Sequence, residues 1–107
     1  MNGHAVKGHL DLLLLCALEA GPAHGYALIE RLRDGSDGAL EFAEGTIYPA
    51  LHRLERSGLL ESAWDETAAR RRRVYALTAR GRADLARQRD AWRAFARAVD
   101  LVVREAT

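Results

Sequence analysis

Between Thr46 and Arg56 the chain sets a hydroxyl, a phenol, an imidazole and two guanidinium groups (Thr46, Tyr48, His52, Arg53 and Arg56) around Pro49, with Glu55 the single acid. Arginine forks onto the acceptor edge of guanine in the major groove of DNA, and hydroxyls meet phosphates. Recognition of a duplex is the chemistry this set offers. A second basic group follows at Arg70-Arg71-Arg72-Arg73. Adjacent guanidiniums repel one another unless an anion is close, and phosphate is the obvious anion. Taken alone, either set also reads as an ordinary solvated surface.

The elements around these residues give them context. Ile47, Ala50, Leu51 and Leu54 recur at the i, i+3, i+4, i+7 spacing of a helix with one buried side, so the polar set lies on the outer side. Ser57-Gly58 ends that helix. We expect Thr46 to cap its start, which puts Pro49 at the third helical position, among amides that lack an intrahelical partner anyway. If the helix instead begins near Glu44, Pro49 must bend it. Upstream, Leu10 to Ala20 is apolar on almost every side and forms a core helix stopped by Gly21-Pro22. His24 to Arg33 regains helical spacing, with Gly25, Leu28, Ile29 and Leu32 inward and Glu30, Arg31 and Arg33 outward. Asp34 to Gly38 is turn chemistry. Downstream, Leu59 to Trp64 and Arg73 to Leu77 read as two strands joined by the polar residues 65 to 72.

Thr78 caps a last helix running from Ala79 to about Glu105, with Gly81 where a capping box would place Glu. Leu85, Trp92, Val99 and Ala106 fall seven apart, as do Gln88, Phe95 and Val102. At 1.5 Å per residue this helix is roughly 40 Å long, more than a head built from the first 78 residues can cover. Leu85, Trp92, Phe95, Val99 and Val102 are therefore expected at an interface with a second copy of the chain. The alternative is a helix folded back on its own head.

Length and composition set the bounds. At 107 residues, 49% hydrophobic and 29% charged, the chain has the make-up of one folded domain. Its most apolar run, Leu12 to Leu18, is too short to cross a bilayer, and Met1 to Val6 has no signal-peptide core, so a cytoplasmic protein is expected. Cys16 is expected as a small buried hydrophobe. The net charge of +1 is unevenly spread: residues 1–45 hold three basic and seven acidic side chains, residues 46–107 thirteen and eight. The basic portion begins at the outward-facing set. His4, His9, His24 and His52 lack the paired spacing of a metal or general-base site, and no Ser, Cys or Lys stands beside a plausible base. No enzyme, metal or cofactor is expected, and His24 should cap or pack the second helix.

Three helices with a turn before the third, then a basic hairpin, read as a winged helix-turn-helix: mainly α with a small β-hairpin, the head at residues 1–77 and a dimerisation helix at 78–107. HGYALIERL, GTIYPALHRLERSGLL and RRRVYALTARGRADL, in this order, resemble the PadR family of bacterial transcriptional regulators over about Leu10 to Phe95. The resemblance implies a homodimeric repressor on double-stranded DNA. By position it assigns Thr46, Tyr48, Pro49 and Arg53 to the recognition helix, Arg71, Arg72 and Arg73 to the wing, and the segment after Thr78 to dimerisation. It also suggests the small subfamily with a single C-terminal helix. Relatives often carry Ser or Thr before Glu44, where this chain has Ala43, which leaves a helix starting at Glu44 without a side-chain cap. In multidrug-responsive relatives a Trp similar in position to Trp92 stacks on flat aromatic ligands, so Trp92 and Phe95 are candidates for lining an effector site between subunits. Simple packing of the interface is the other reading of Trp92. The competing functional class is a winged-helix module that binds protein rather than DNA, which would not need the basic run at 70 to 73, though an acidic partner could use it too.

Overall fold

The computed structural model describes residues 9–67 and 69–105; the expectations for residues 1 to 8 and for Ala106 lie outside them. Its elements are α1 (Leu10–Leu18), α2 (Gly25–Gly35), α3 (Glu44–Arg56), β1 (Leu60–Asp65), β2 (Arg72–Leu77) and α4 (Ala79–Val103). Buried leucines of α1 (Leu10, Leu14, Leu15, Leu18) meet Leu28 and Leu32 of α2, the α3 stripe Ile47, Ala50, Leu51 and Leu54, and Leu60, Tyr75 and Leu77 of the hairpin in one core. The stripe is the one the spacing required.

How α1 ends is decided by a distant side chain. Arg31 of α2 donates from Nη1 to the Ala17 carbonyl (3.0 Å), one of the groups a helix C-terminus leaves open, and to the Gly21 carbonyl (2.8 Å) in the corner that follows. It is therefore a strut between helices, half-buried, rather than a purely outward charge. After Pro22, Ala23 exchanges two backbone hydrogen bonds with Tyr75 (3.0 and 2.9 Å), adding a one-residue third strand to the hairpin. Gly21-Pro22 is thus more than a corner, because it aims the chain along the edge of β2.

Helix α2 begins as expected: the Ala27 amide donates to His24 Nδ1 at 3.2 Å, the geometry of an N-cap. Gly25 is buried because the Tyr48 ring of α3 lies on it. A Cβ there would sit 2.6 Å from the ring. This close approach sets how tightly the second and third helices cross.

Helix α3 starts at Glu44, two residues before the Thr46 cap the propensities favoured, with Ala43 at the N-cap and no side-chain cap bond. The Ala43 carbonyl accepts from the Thr46 (3.0 Å) and Ile47 (3.2 Å) amides. Two physical terms outweigh the missing cap: the Glu44 carboxylate lies in the first turn, where the helix dipole favours negative charge, and the buried stripe anchors the turn from Ile47 onward. Pro49 consequently sits inside the helix. The carbonyl it deprives of a partner belongs to Gly45, an exposed residue, where water can satisfy it. At the far end Gly58 (φ 81°) permits a Schellman closure, its amide donating to Glu55 and that of Leu59 to Leu54, each at 3.0 Å.

The two strands pair antiparallel with Leu60 opposite Leu77, Ser62 opposite Tyr75 and Trp64 opposite Arg73. Thr78 then accepts from the Gly81 amide (3.0 Å) while its hydroxyl donates to the Gly58 carbonyl (2.7 Å), so one side chain caps α4 and ties it to the end of α3. Position 81 has no room for the Glu of a capping box, since even a Cβ would stand 2.0 Å from the Leu59 carbonyl oxygen.

The first turns of α4 pack on the head and the rest projects, giving overall extents of 58 × 28 × 21 Å. Leu85 is only 2% exposed and belongs to the protomer's own core. It has no surface left for a second copy, which corrects its placement on the heptad seam; the seven-residue repeat cannot tell an intrachain neighbour from an interchain one. No helix among the described residues is long and apolar enough to cross a membrane. Gly81→Ala should lower unfolding stability by about 3 kcal/mol, because backbone rather than a flexible side chain blocks the added methyl; urea denaturation of the variant beside the parent measures it.

Candidate nucleic-acid interface

On the outer side of α3, Pro49, His52, Arg53 and Arg56 are exposed while Thr46 and Tyr48 are half-buried. Tyr48 is drawn inward by its contact with Gly25, so its ring is packing at the helix crossing. Arg53 is exposed but engaged: its Nη2 pairs with the Asp11 carboxylate at the start of α1. Both partners are substantially exposed, a setting in which ion pairs contribute little to stability and exchange readily for another anion.

The hairpin is tied to α3 through Glu55, the acid that interrupted the basic set. Ser62 Oγ of β1 donates to Glu55 Oε2 (2.6 Å) and accepts from Arg73 Nε (2.6 Å), and Arg73 Nη2 lies 4.0 Å from Glu55 Oε2. Arg73, half-buried, is thus occupied within the protein, unlike the outermost part of the run. Arg72 Nε lies 3.8 Å from Asp65 Oδ2 across the strand pair. Asp65 Oδ1 also accepts from the Thr67 amide (3.0 Å) and hydroxyl (2.6 Å), which opens the turn between the strands. Arg71 and Arg73 hold their guanidiniums 4.4 and 5.1 Å from the centroid of the Trp64 ring. Arg70 and Arg71 are exposed.

Among the residues singled out from sequence, the structure leaves Arg53 and Arg56 exposed on α3 and Arg70 to Arg72 exposed on the hairpin, and engages Tyr48 and Arg73 in structural contacts. Asp11, Glu55, Ser62 and Trp64 were not singled out. Trp64 had a signal: in strand alternation it continues Leu60 and Ser62 outward on the face that meets the head.

His24 lies near the wing as well. Burial lowers its imidazole below the ordinary value, and Arg72 pushes the same way, against Glu30 and Asp65. Arg89 of α4 donates to Cys16 Sγ (3.5 Å) and to Glu19 (3.1 and 2.7 Å), and its hydrogen bonding to Glu19 holds that carboxyl below the usual range. Next to it, His9 meets Trp92 edge-on at 4.7 Å between ring centroids. A groove of about 360 Å³ runs between α1, the loop before α3 and α4, lined by Leu12, Leu13, Cys16, Leu40 and Trp92 among others. Cys16 is half-buried, a groove-lining residue rather than a core one. Trp92 at the groove is 38% exposed, and beyond it Phe95, Val99 and Val102 are 57, 41 and 85% exposed.

A trihelical head whose third helix turns a basic face outward beside an arginine-rich hairpin is a winged helix-turn-helix, an architecture that places one helix in a DNA groove. Residues 14–87 match the Transcriptional regulator PadR-like family. The chain belongs to that family, whose members are transcriptional regulators, not enzymes, and membership implies regulation through DNA binding. It is 43% identical over 76 residues to the transcriptional regulator Rv3488 of Mycobacterium tuberculosis, covering 71% of this chain and 68% of that one. A transcriptional regulator from Clostridium thermocellum superposes with a TM-score of 0.88 at 25% identity, covering 97% of this chain and 99% of that chain. A PadR family regulator from Eggerthella lenta does so with 0.83 at 31% identity, covering 96% and 88%.

The lowered His24 pKa has a stability consequence. The unfolded chain takes up the proton first as pH falls below about 6.5, so His24's contribution is complete above that value and is lost as pH drops through the depressed folded value. Denaturation midpoints measured between about pH 7.5 and 5 should fall less in His24→Asn, which keeps a capping side chain and does not titrate.

Proposed function

We propose that the protein is a homodimeric repressor that binds an inverted-repeat operator through α3 and its wing. The observation that supports this reading is the joining of the arginine-rich hairpin to α3, whose exposed side carries Arg53 and Arg56, through Glu55, Ser62 and Arg73. Two such heads related by a two-fold axis would enter successive major grooves about 34 Å apart, so half-sites about one helical turn apart are expected. Arg53 reads a base after leaving Asp11, whereas Thr46, Tyr48 and Pro49 shape the helix and its approach to the backbone. Arg71 and Arg72 neutralise flanking phosphates, and Arg73 lends its charge from a fixed position. Footprinting on the DNA upstream of the gene, with mobility shifts, tests this reading. Arg53→Ala should weaken binding by about 1–3 kcal/mol and relax preference at one position; an equal loss on all sequences would reassign Arg53 to phosphate. Neutralising Arg71 and Arg72 together should shallow the slope of log affinity against log salt by about 2, and an unchanged slope removes the wing from the interface.

The dimer is supported by the apolar surface along α4. Phe95, Val99, Leu101, Val102 and Val103 are exposed on a helix that projects from the head, a surface that water disfavours and a second copy would cover. Small-molecule release is supported by the grooves flanking Trp92, about 360 and 240 Å³, the second also touching Phe95. A planar aromatic compound held there would bias the separation of the heads and so release DNA. Analytical ultracentrifugation should show a dimer that Phe95→Asp with Val102→Asp converts to a monomer with lost operator binding. In the same preparation, aromatic compounds that release DNA should quench tryptophan fluorescence in the parent and not in Trp92→Phe. A panel that leaves both signals unchanged assigns Trp92 to packing.

A further inference from the structure

Strand register places Leu60, Ser62 and Trp64 on one face of the hairpin, opposite Leu77, Tyr75 and Arg73. Near the head that face is buried through Leu60, Leu77 and Tyr75. Two residues beyond Ser62 it leaves the core, and there stands Trp64, 49% exposed, on the strand pair that ends in the arginine run. An indole left half in water gives up much of the free energy its burial would release. Hairpin pairing alone does not need one at this position.

What the ring does hold is charge. Arg71 and Arg73 both lie within cation–π range of it, at 4.4 and 5.1 Å. Arg73 is fixed in turn by Ser62 and Glu55, so the ring has a defined position relative to α3. A guanidinium lying over an aromatic ring uses its face and keeps its N–H donors in its own plane, pointing past the ring edge. Two cations at one ring repel each other, and an anion arriving at their outer edges relieves the repulsion.

We propose that Trp64 is a positioning residue for DNA binding: it holds the Arg71 guanidinium ready for a phosphate of the strand that flanks the groove read by α3. The proposal rests on the DNA-binding reading above. Its partner is the phosphodiester backbone, so Trp64 raises affinity for all duplexes and leaves base preference unaltered.

Affinity as a function of salt, measured on a duplex selected by the parent protein from a random-sequence library, tests this with Trp64→Ala, Trp64→Phe, Arg71→Gln and the Trp64→Ala, Arg71→Gln double variant. Trp64→Ala should bind about fivefold more weakly near 0.1 M salt and shallow the log–log salt slope by about 1, matching Arg71→Gln. Trp64→Phe, which keeps a weaker aromatic face, should fall between Trp64→Ala and the parent. The double variant should be no worse than Arg71→Gln alone, because the ring acts through that guanidinium. Parent-like affinity and slope in Trp64→Ala overturn the proposal, and so does a loss of the same size with and without Arg71, which marks a wing that has merely come apart. A parent that selects no duplex overturns the DNA-binding reading itself, an outcome plainly distinct from the others.

Discussion

The corner where Gly58-Leu59 meets Thr78 and Gly81 fixes the geometry of everything else. In the space of a few residues it closes α3, starts β1, receives the end of β2 and caps α4, with the Leu59 carbonyl taking the Thr78 amide at 3.1 Å and the Gly58 carbonyl taking the Thr78 hydroxyl at 2.7 Å. Gly81 lies against that backbone too closely for any side chain. Helix α3, the hairpin and the projecting helix α4 therefore leave one common joint. Whatever orients α4 also orients α3.

Around that joint, charge is distributed so that polar groups have partners without being locked away. Arg31 serves the end of α1 through backbone carbonyls, a neutral set of acceptors in a half-buried place. Arg53 and Arg89 have carboxylate partners at the surface, Asp11 and Glu19, where water screens the pairing. Glu55 differs, since it is half-buried and joins Ser62 and Arg73 into a small network between helix and hairpin. A two-stranded hairpin is marginal by itself. This network, the buried Leu60, Tyr75 and Leu77 and the Ala23 bridge hold it to the head.

The apolar surface is divided just as unevenly. Leu85 completes the protomer's core, Trp92 lies at the edge of the groove between α1 and α4, and the residues beyond it stand in solvent. One heptad pattern thus spans three environments. The repeat describes a face of the helix, and the length of the head determines where along that face intrachain burial stops.

Sequence by itself determined the elements and their order, because helical and strand periodicities are local properties: the α3 stripe, the His24 and Thr78 caps and the hairpin all occur where spacing placed them. It also located the basic outer face and the arginine run, since a helix with one buried side must show the other. Tertiary structure decided what spacing cannot encode. The start of α3 moved to Glu44 because burial of Ile47 onward and a first-turn carboxylate outweigh a capping hydroxyl. Tyr48 turned inward because Gly25, two dozen residues away, leaves a space for its ring. Arg53 met Asp11, and Arg73 met Ser62 and Glu55, only once separate elements were packed together. The contacts of Tyr48, Arg53 and Arg73 join residues far apart in the chain, and which distant residues come within reach is settled by three-dimensional packing alone.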